Sequence, residues 1–364
     1  MNILFHSNQL SERGAEVALF DYALGNQNVL KNYSFIAAPK NRIFGENILD
    51  KFKQNFTVCL YESPKDVHDF AESNKIDLIY KIVHGGTKEE FLHDKIPHFI
   101  HCVFSTKAEH GTFYCPISEC INKRFGTDYP VLPHIVKPFG IQIDKTVLRQ
   151  KLGIPQNSIV FGCYGGKQQF NIPFVKKEVV EVAKKHSNIY FLFMNHEKFC
   201  DLPNVYFLPG SVDYAEKAHF IDACSAMLHA RADGETFGLA VAEFSTRNKP
   251  VITWKPGRLY HVVVMFFSYL RKLLKKMGVH KKIMPNELFG WSVHMFYDKA
   301  HLEYCYKAIT YTNKKDLRHV LENFENYYNS NENYDCYSER FSEKNVMETF
   351  RDIICKASKG KEQI

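Results

Sequence analysis

The chain has 364 residues, which is too long for one ordinary domain and suits two of roughly 150 to 200 residues each. Its 45% hydrophobic and 24% charged residues are typical of a globular protein and exclude a disordered or fibrous one. The net charge of +7 has a local origin, because ten Lys and Arg residues lie between Glu243 and Glu287 with no Asp or Glu among them. This pattern argues against a general affinity for nucleic acid.

The sequence also limits where the protein works and what it binds. No apolar run reaches the ~20 residues of a membrane-spanning helix. The first residues lack the basic start and long apolar stretch of a signal peptide, so we expect a cytoplasmic protein. The ten cysteines have no spacing typical of a zinc site, and they predict reduced, mostly buried thiols. We expect neither a metal ion nor another cofactor.

The first part of the chain alternates strand and helix patterns. An apolar run over residues 1–8 predicts a buried strand, and a polar turn with Gly14 then opens a helical pattern. Further strand-like runs follow at residues 33–38, 56–60, 76–83, 98–104 and 112–117. Alternating strands and helices predict a doubly wound parallel sheet. We assign residues 1–138 to this N-terminal Rossmann-like domain, which ends in a Pro-rich linker.

The second part of the chain, residues 139–341, repeats the alternation and predicts a second Rossmann-like domain. Its strand-like runs lie at residues 158–164, 189–194, 205–208, 226–229 and 250–254. A last helical pattern, within residues 342–364, is predicted to pack back toward the N-terminal domain. Two doubly wound α/β domains joined by a hinge predict a cleft between them, and ligands of such sheets bind outside the carboxyl ends of the strands.

Two glutamates with a spacing of eight positions form the most specific pattern. Glu235 is predicted in a turn before a helix and Glu243 two turns down that helix, so that one helix presents both carboxylates. Glu235 can accept hydrogen bonds from neutral hydroxyls, and Glu243 can hold a vicinal diol. Gly238 allows a ligand to approach the backbone closely. If the helix starts near Thr236, free backbone amides form an anion site at Thr236, Phe237, Gly238 and Leu239.

A second pattern is the glycine turn that ends in Gly166 and Lys167, between the strand at 158–164 and the next helix. The glycines leave the backbone open, and Lys167 can meet a diphosphate and neutralise the charge of a leaving group. Taken alone, such a turn is more often an ordinary loop than a phosphate site.

The basic segment needs its own explanation. Apolar residues recur at helical spacing over residues 266–277, with lysines and arginines on the opposite face, after an apolar run at 262–267. We treat residues 258–286 as a basic amphipathic insertion. Two interpretations remain open: residues 258–282 lie against an anionic membrane surface, or the helix packs on its own domain with a solvated basic face. Binding of nucleic acid is not expected, because aromatic residues are not interleaved with the positive charges.

These residues together resemble a known family. The Glu235 and Glu243 block with Phe237 and Gly238, and the glycine–lysine turn before it, are similar to the donor site of the family 4 (group 1) glycosyltransferases, which have the two-domain GT-B fold. The resemblance extends from the first strand and its glycine turn to the final helix. It implies a nucleotide-sugar donor, of UDP or GDP type, held by the second domain, with Glu235 on sugar hydroxyls and Glu243 on the ribose.

The resemblance implies roles for further residues. His101 matches a histidine that family members place near the transferred sugar, and Gly14 matches a glycine loop beside the acceptor and the donor phosphate, although relatives usually carry two adjacent glycines there. Family members also have a second cation five or so residues after the first, but Ile172 stands at that point. Lys176 and Arg231 are the candidates for this missing cation.

The resemblance implies a retaining glycosyltransferase that needs no metal. Glu235, Lys167 and His101 are its predicted catalytic residues, and the acceptor is expected to be a glycan, a lipid-linked molecule or another hydroxyl compound. The alternative is a non-catalytic protein on the same scaffold, either a binder of sugar nucleotides or an adaptor at a membrane surface, because a fold does not fix a function.

Overall fold

The computed structural model describes residues 1–11, 14–89, 93–137, 146–211, 213–257 and 297–360. Two units are distinct: Met1–Lys137 with Tyr337–Ile364 form the first, and Pro138–Cys336 form the second. The end of the predicted linker, from residue 138, and the basic segment 258–286 lie outside the described residues. Within the described ranges, none of the helices is both long and apolar enough to cross a membrane.

The first unit is built on a six-stranded parallel sheet in the order β3-β2-β1-β4-β5-β6. Its strands are β1 (Asn2–His6), β2 (Tyr33–Pro39), β3 (Thr57–Tyr61), β4 (Leu78–Val83), β5 (His98–Cys102) and β6 (Phe113–Pro116). Its first helices are α1 (Gly14–Asn28), α2 (Glu46–Asn55), α3 (Pro64–Ser73) and α4 (Glu119–Phe125). The central strands are buried along almost their whole length, because both faces of a parallel sheet are covered.

The second unit repeats this architecture with the strand order β14-β12-β10-β7-β8-β9, again all parallel. These strands are β7 (Ile159–Tyr164), β8 (Ile189–Met194), β9 (Val205–Leu208), β10 (Ala226–His229), β12 (Val251–Trp254) and β14 (Ile309–Tyr311). A separate two-stranded pair joins β11 (Gly234–Glu235) to β13 (Asp298–Lys299). The helices are α5 (Thr146–Lys151), α6 (Pro173–Lys185), α7 (Tyr214–Ala223), α8 (Leu239–Thr246), α9 (Ala300–Tyr304) and α10 (Lys314–Glu322).

The chain returns to the first unit at Tyr337, earlier than the boundary at 341 drawn from the sequence. Phe341 is buried, and its carbonyl oxygen accepts a hydrogen bond of 2.9 Å from the amide of Val136. The last helix, α11 (Glu343–Gly360), then places the ring of Phe350 5.1 Å from that of Phe99 and 5.7 Å from that of Tyr80. The C-terminal segment therefore completes the core of the first unit.

Both sheets confirm the predicted fold class, an α/β chain with two doubly wound Rossmann-like domains. All ten cysteines are free, and six of them are buried.

His101 belongs to the core of the first unit, and its predicted contact with a sugar stays a prediction. Its side chain on β5 is fully buried, and its Nδ1 lies 2.6 Å from the hydroxyl of Tyr80. The rings of Tyr22 and His134 pack against it at 5.5 and 5.9 Å. Burial lowers the pKa of His101 to about 3 and the pKa of His98 to about 4. Both histidines are therefore neutral parts of the core at ordinary pH.

We expect the buried histidines to make the protein less stable as the pH falls from about 6.5 toward about 4. Their folded pKa values lie below the ordinary 6.5, so the unfolded chain binds more protons in this window. Each histidine therefore lowers the free energy of unfolding by about 1.4 kcal/mol for each pH unit that the pH falls. His101→Asn removes one such group and keeps an oxygen for Tyr80. Its melting temperature should fall less steeply with pH than that of the wild type.

The control is His319→Asn, because His319 is exposed on α10. This variant should show the wild-type slope when thermal unfolding is followed across the same pH range. An identical slope for wild type and His101→Asn would show that His101 is not a neutral core residue.

Candidate functional site

The carboxyl ends of β7 and β10 are neighbours in the middle of the second sheet. β7 lies between β8 and β10, and Phe161 and Gly162 of β7 pair with Ala226 and Met227 of β10. After β7 the chain adds β8 and β9 on one side of β7, and it then adds β10 on the other side. The direction in which strands are added therefore reverses between β7 and β10. Ligands of open parallel sheets bind outside the carboxyl ends at such a point.

The turn after β7 carries Gly165, Gly166 and Lys167. The side chain of Asn195, just after β8, donates a hydrogen bond of 2.8 Å to the carbonyl oxygen of Gly165, and the amide of Gly166 donates one of 3.0 Å to the side chain of Gln169. These two bonds fix the backbone of the turn. Lys167 is exposed, and it forms no ion pair with the residues that the structure describes.

Asn171 ties this turn to the loop after β10. Its amide donates a 3.0 Å hydrogen bond to the carbonyl oxygen of Ala230, and its side-chain oxygen accepts one of 2.8 Å from the amide of Ala232. One residue, through its backbone and its side chain, therefore holds the Lys167 loop and the loop that leads to Glu235 together at the same edge of the sheet.

Glu235 lies in the short strand β11, whose residues pair with β13. The preceding Gly234 has a φ of +67°, and a Cβ atom there would overlap the carbonyl oxygen of Asp298. Only glycine therefore accommodates both the backbone conformation and the close approach of β13. This pairing fixes the position from which the Glu235 side chain projects.

The carboxylate of Glu235 is held by two side chains that precede it in the chain, one at the end of β10 and one in the loop after β10. Nη1 of Arg231 donates to Oε2 at 2.7 Å, and Nε2 of His229 lies 3.3 Å from Oε1. Burial alone would raise the pKa of Glu235, but the charge of Arg231 and the hydrogen bond with His229 outweigh it and lower the pKa to about 2. Glu235 is therefore ionised at ordinary pH and accepts hydrogen bonds only.

The helix that carries Glu243 begins later than the start near Thr236 on which the predicted anion site depends. α8 begins at Leu239, and Gly238 precedes it with a φ of +88°, so Glu235 lies in a strand and only Glu243 in the helix. Because Gly238 has a left-handed backbone conformation, the α-helix cannot extend back through it to Thr236. Of the four predicted amide donors, only that of Leu239 belongs to the first turn of the helix. Phe237 is instead buried, 5.5 Å from the ring of Tyr304.

Glu243 has a different partner from Glu235. Its side chain is 10% exposed, and Oε1 lies 3.4 Å from Nζ of Lys217 on α7. The ammonium group of Lys217 also lies 5.6 Å from the centre of the Tyr164 ring, at the end of β7. Glu243 is thus held close to the end of β7, but as part of a largely buried ion pair.

The candidates for a second cation have partners of their own. Arg231 is the ion-pair partner of Glu235, and Nζ of Lys176 lies over the ring of Phe199 at 5.4 Å. Lys167 remains the exposed cation of the β7 turn. In the described part of the chain, no group of three or more His, Cys, Asp or Glu side chains is arranged to hold a metal ion.

The two predicted site residues of the first unit differ in their exposure to solvent. His101 is buried in the core, as described above, and has no exposed surface for a ligand. Gly14 is exposed and is the first residue of α1, while the residues before it, 12 and 13, lie outside the described ranges. A role for Gly14 beside a ligand stays a prediction.

Sequence reasoning missed two histidines of the second unit. His229 ends β10 and contacts Glu235 through its side chain, whereas His301 on α9 lies 3.2 Å from the amide of Glu235 through Nδ1. The position of His229, at the end of a buried strand just before the glutamate block, was a usable signal. His301 offered none, since it is 66 residues away in the chain.

Comparison with known proteins identifies the fold. No protein-family model matches the chain, and no curated protein sequence matches it. Solved structures do match. Alr3699/HepE from Anabaena, in complex with UDP and glucose, has a TM-score of 0.64 at 14% identity, and the match covers 98% of this chain and 100% of that one.

Two further matches have similar extent. WaaG, a glycosyltransferase involved in lipopolysaccharide biosynthesis, has a TM-score of 0.60 at 11% identity, with 97% of this chain and 99% of that chain covered. AviGT4, a glycosyltransferase involved in avilamycin A biosynthesis, has a TM-score of 0.57 at 10% identity, with 98% of each chain covered. The chain has the GT-B fold. Its membership of family 4 stays a prediction.

We expect Gly234→Ala to destabilise the second unit by about 1 to 3 kcal/mol, because alanine is strained at positive φ and its Cβ would collide with β13. The measurement is thermal or urea-induced unfolding of the full chain. Gly257→Ala is the matched control, since a Cβ there meets no atom within 4 Å. Equal stability of the two variants would contradict the required close pairing of β11 and β13.

Proposed function

We propose that the protein is a glycosyltransferase that moves a sugar from a nucleoside-diphosphate donor to a hydroxyl acceptor with retention of configuration and without a metal ion. The observation that carries this proposal is that an ionised carboxylate, Glu235, and an exposed lysine, Lys167, lie on adjacent loops at the switch point of the second sheet. The GT-B fold supports it, since the matching structures include glycosyltransferases and one complex with UDP and glucose.

The donor diphosphate would bind beside the turn after β7. Lys167 supplies a positive charge there, and the backbone at Gly166 has no side chain to block a phosphate. The first-turn amides of α8, beginning at Leu239, supply partial positive charge because a helix N-terminus favours anions. We propose a UDP or GDP sugar as the donor. UDP has support from Alr3699/HepE, which binds UDP and UDP-glucose in its structures.

Glu235 would hold the sugar through its hydroxyl groups. An ionised carboxylate has about four acceptor positions on its two oxygens, and Arg231 and His229 occupy one on each oxygen. Positions therefore remain for donation from sugar hydroxyls. Because the positive charge of Arg231 compensates the negative charge of the carboxylate, Glu235 can stay ionised in a largely buried place. The ion pair also fixes the orientation of the carboxylate before the sugar arrives.

The reaction needs electrostatic stabilisation more than a base. The bond between C1 of the sugar and the diphosphate oxygen breaks, the acceptor oxygen bonds to C1 on the same face, and the departing phosphate oxygen takes the proton of the acceptor. Charge accumulates on the diphosphate, where Lys167 and the helix amides would stabilise it. His101 has no part in this proposal, because its side chain is buried in the core.

Some features stay predictions beside this proposal. Glu243 would hold the ribose, and Arg231 would act on the donor mainly through Glu235. A glycan or lipid-linked acceptor and an anionic membrane surface for residues 258–282 rest on the sequence alone, as the basic segment lies outside the described residues.

We expect Glu235→Gln to lower the rate of sugar transfer by on the order of 100-fold, because a neutral amide no longer offers charged acceptor atoms to the sugar in the transition state. The measurement is release of nucleoside diphosphate from a panel of UDP and GDP sugars with mixed acceptors. Glu235→Asp, which keeps the charge but shortens the side chain, should also lose activity. Melting temperatures identify any loss that is due to unfolding.

The matched control is Glu325→Gln, since Glu325 is an exposed glutamate of the same unit. It should release nucleoside diphosphate at the wild-type rate. Wild-type activity of Glu235→Gln would refute the assignment. Binding of a sugar nucleotide by the wild type without turnover of any donor would favour the alternative, a non-catalytic binding protein.

We expect Lys167→Met to lower kcat by on the order of 100-fold, with a smaller change in KM, because the lost charge acts most strongly on the diphosphate as it departs. Lys167→Arg should retain part of the activity, since it keeps the charge. Lys177→Met is the control, because Lys177 is an exposed lysine of α6. Equal kinetics of Lys167→Met and Lys177→Met would remove Lys167 from the mechanism.

A further inference from the structure

A directed chain of hydrogen bonds runs from the backbone of Glu235 into the second unit. The amide of Glu235 donates to Nδ1 of His301 at 3.2 Å, and Nε2 of His301 lies 3.2 Å from the hydroxyl of Tyr297. That hydroxyl in turn donates to the carbonyl oxygen of Trp254 at the end of β12. His301 is fully buried, and Tyr297 is nearly so. The chain therefore links the Glu235 loop to the main sheet.

The protons of this chain can be assigned from the groups at its ends. A backbone amide only donates, so Nδ1 of His301 accepts and carries no proton. The neutral ring then keeps its proton on Nε2 and donates it to Tyr297. A backbone carbonyl only accepts, so the Tyr297 hydroxyl uses its own proton on Trp254. Every member has one defined role, and the ring of His301 has one defined tautomer.

Burial supports the neutral form of the ring. Burial and the neighbouring His229 lower the pKa of His301 to about 3, despite the opposing charge of Glu235. The rings of His301 and His229 are 4.8 Å apart. A positive charge on His301 would therefore lie buried, and its Nδ1 could no longer accept from the amide of Glu235.

Tight packing makes His301 part of the support of Glu235. Gly238 has a φ of +88°, and a Cβ atom there would lie 3.3 Å both from the Glu235 side chain and from Cβ of His301. The loop therefore passes close to both residues. On the carboxylate side, Nδ1 of His229 lies 2.8 Å from the hydroxyl of Thr253. Glu235 is thus attached to β12 along two routes, one through its backbone and one through its side chain.

We propose that His301 is a positioning residue for Glu235: as the neutral Nε2–H tautomer, it fixes the Glu235 backbone to Tyr297 and to the end of β12, so that the carboxylate is already in place when a sugar hydroxyl arrives. This inference rests on the proposed function for its catalytic consequence. The hydrogen-bonded chain and the tautomer can be tested without turnover.

The first test is structural and uses the full chain with ¹⁵N-labelled histidine. The ring signals of His301 are identified by their loss in His301→Asn. We expect an unprotonated Nδ1 and a protonated Nε2 at neutral pH. A protonated Nδ1, or a doubly protonated ring, would overturn the proposal, because neither can accept from the amide of Glu235.

The second test compares three variants by amide hydrogen exchange of the peptide that contains Glu235. His301→Ala removes the acceptor and should speed exchange. His301→Asn places an oxygen close to the position of Nδ1, so it should retain most of the protection. Tyr297→Phe should give an intermediate effect, because the ring loses its anchor but keeps its acceptor. Wild-type protection in His301→Ala would overturn the proposal.

The third test is kinetic. We expect His301→Ala to lower kcat by on the order of 10- to 100-fold, the scale of a small misplacement of a reacting group, with rescue by His301→Asn. His319→Asn, at an exposed histidine, is the control. Equal rates of His301→Ala and wild type would refute the positioning role. If the wild type transfers no sugar at all, the proposed function fails, whereas the tautomer and exchange results still decide whether His301 holds Glu235.

Discussion

The ion pair between Glu235 and Arg231 is the interaction on which the candidate site depends. A carboxylate with a side chain that is only 16% exposed would be neutralised by its surroundings without a partner. Removing one partner of a buried pair costs about 3 to 5 kcal/mol, because the other charge is left uncompensated. Arg231 is four positions earlier in the same loop, so folding of this loop brings both charges together before any ligand binds. The charge and the orientation of the Glu235 carboxylate are therefore set by residues of the same loop.

The backbone must accept unusual geometry for this pair to lie at the edge of the sheet. Gly234 and Gly238 both have positive φ, one on each side of Glu235. The first allows β11 to pair closely with β13, and the second turns the chain into α8. Between them, Glu235 is restrained by a strand pair, an ion pair and the amide contact with His301. Such restraint from several directions is how a binding group is held in one orientation without help from the ligand.

The sequence was sufficient for the fold and for only part of the site. Alternating runs of apolar strands and helices have a strong periodic signal, which is why both parallel sheets were predictable. The short strand at residues 309–311 and the pair of β11 with β13 were missed, because two or three residues carry no periodicity. Local patterns were enough to nominate Glu235 and Lys167 as candidates. The contacts of His301 depend on chain segments far apart in sequence, and no local pattern encodes them.

The same limit explains why the burial of His101 was not predicted. Its position near the end of a strand is compatible with either a ligand or the core, and a strand exposes alternate residues to opposite faces of the sheet. The choice depends on what covers that face. In this chain, α11 comes from the far end of the sequence and places Phe350 beside Tyr22 and Tyr80, whose rings pack against His101. No pattern around residue 101 contains that information.

The two glutamates of the pattern have different ion-pair partners in the structure. Glu235 has an arginine, whose planar guanidinium fixes the direction of a carboxylate, together with a histidine. Glu243 has a lysine, which is a point charge on a flexible stem and makes a longer contact of 3.4 Å. A carboxylate held by arginine keeps its orientation, whereas one held by lysine can exchange that contact for hydroxyl groups at lower cost. The two ion pairs thus favour a fixed acceptor at Glu235 and an adaptable one at Glu243, as the proposed roles would require: a rigid hold on the transferred sugar and a looser hold on the rest of the donor.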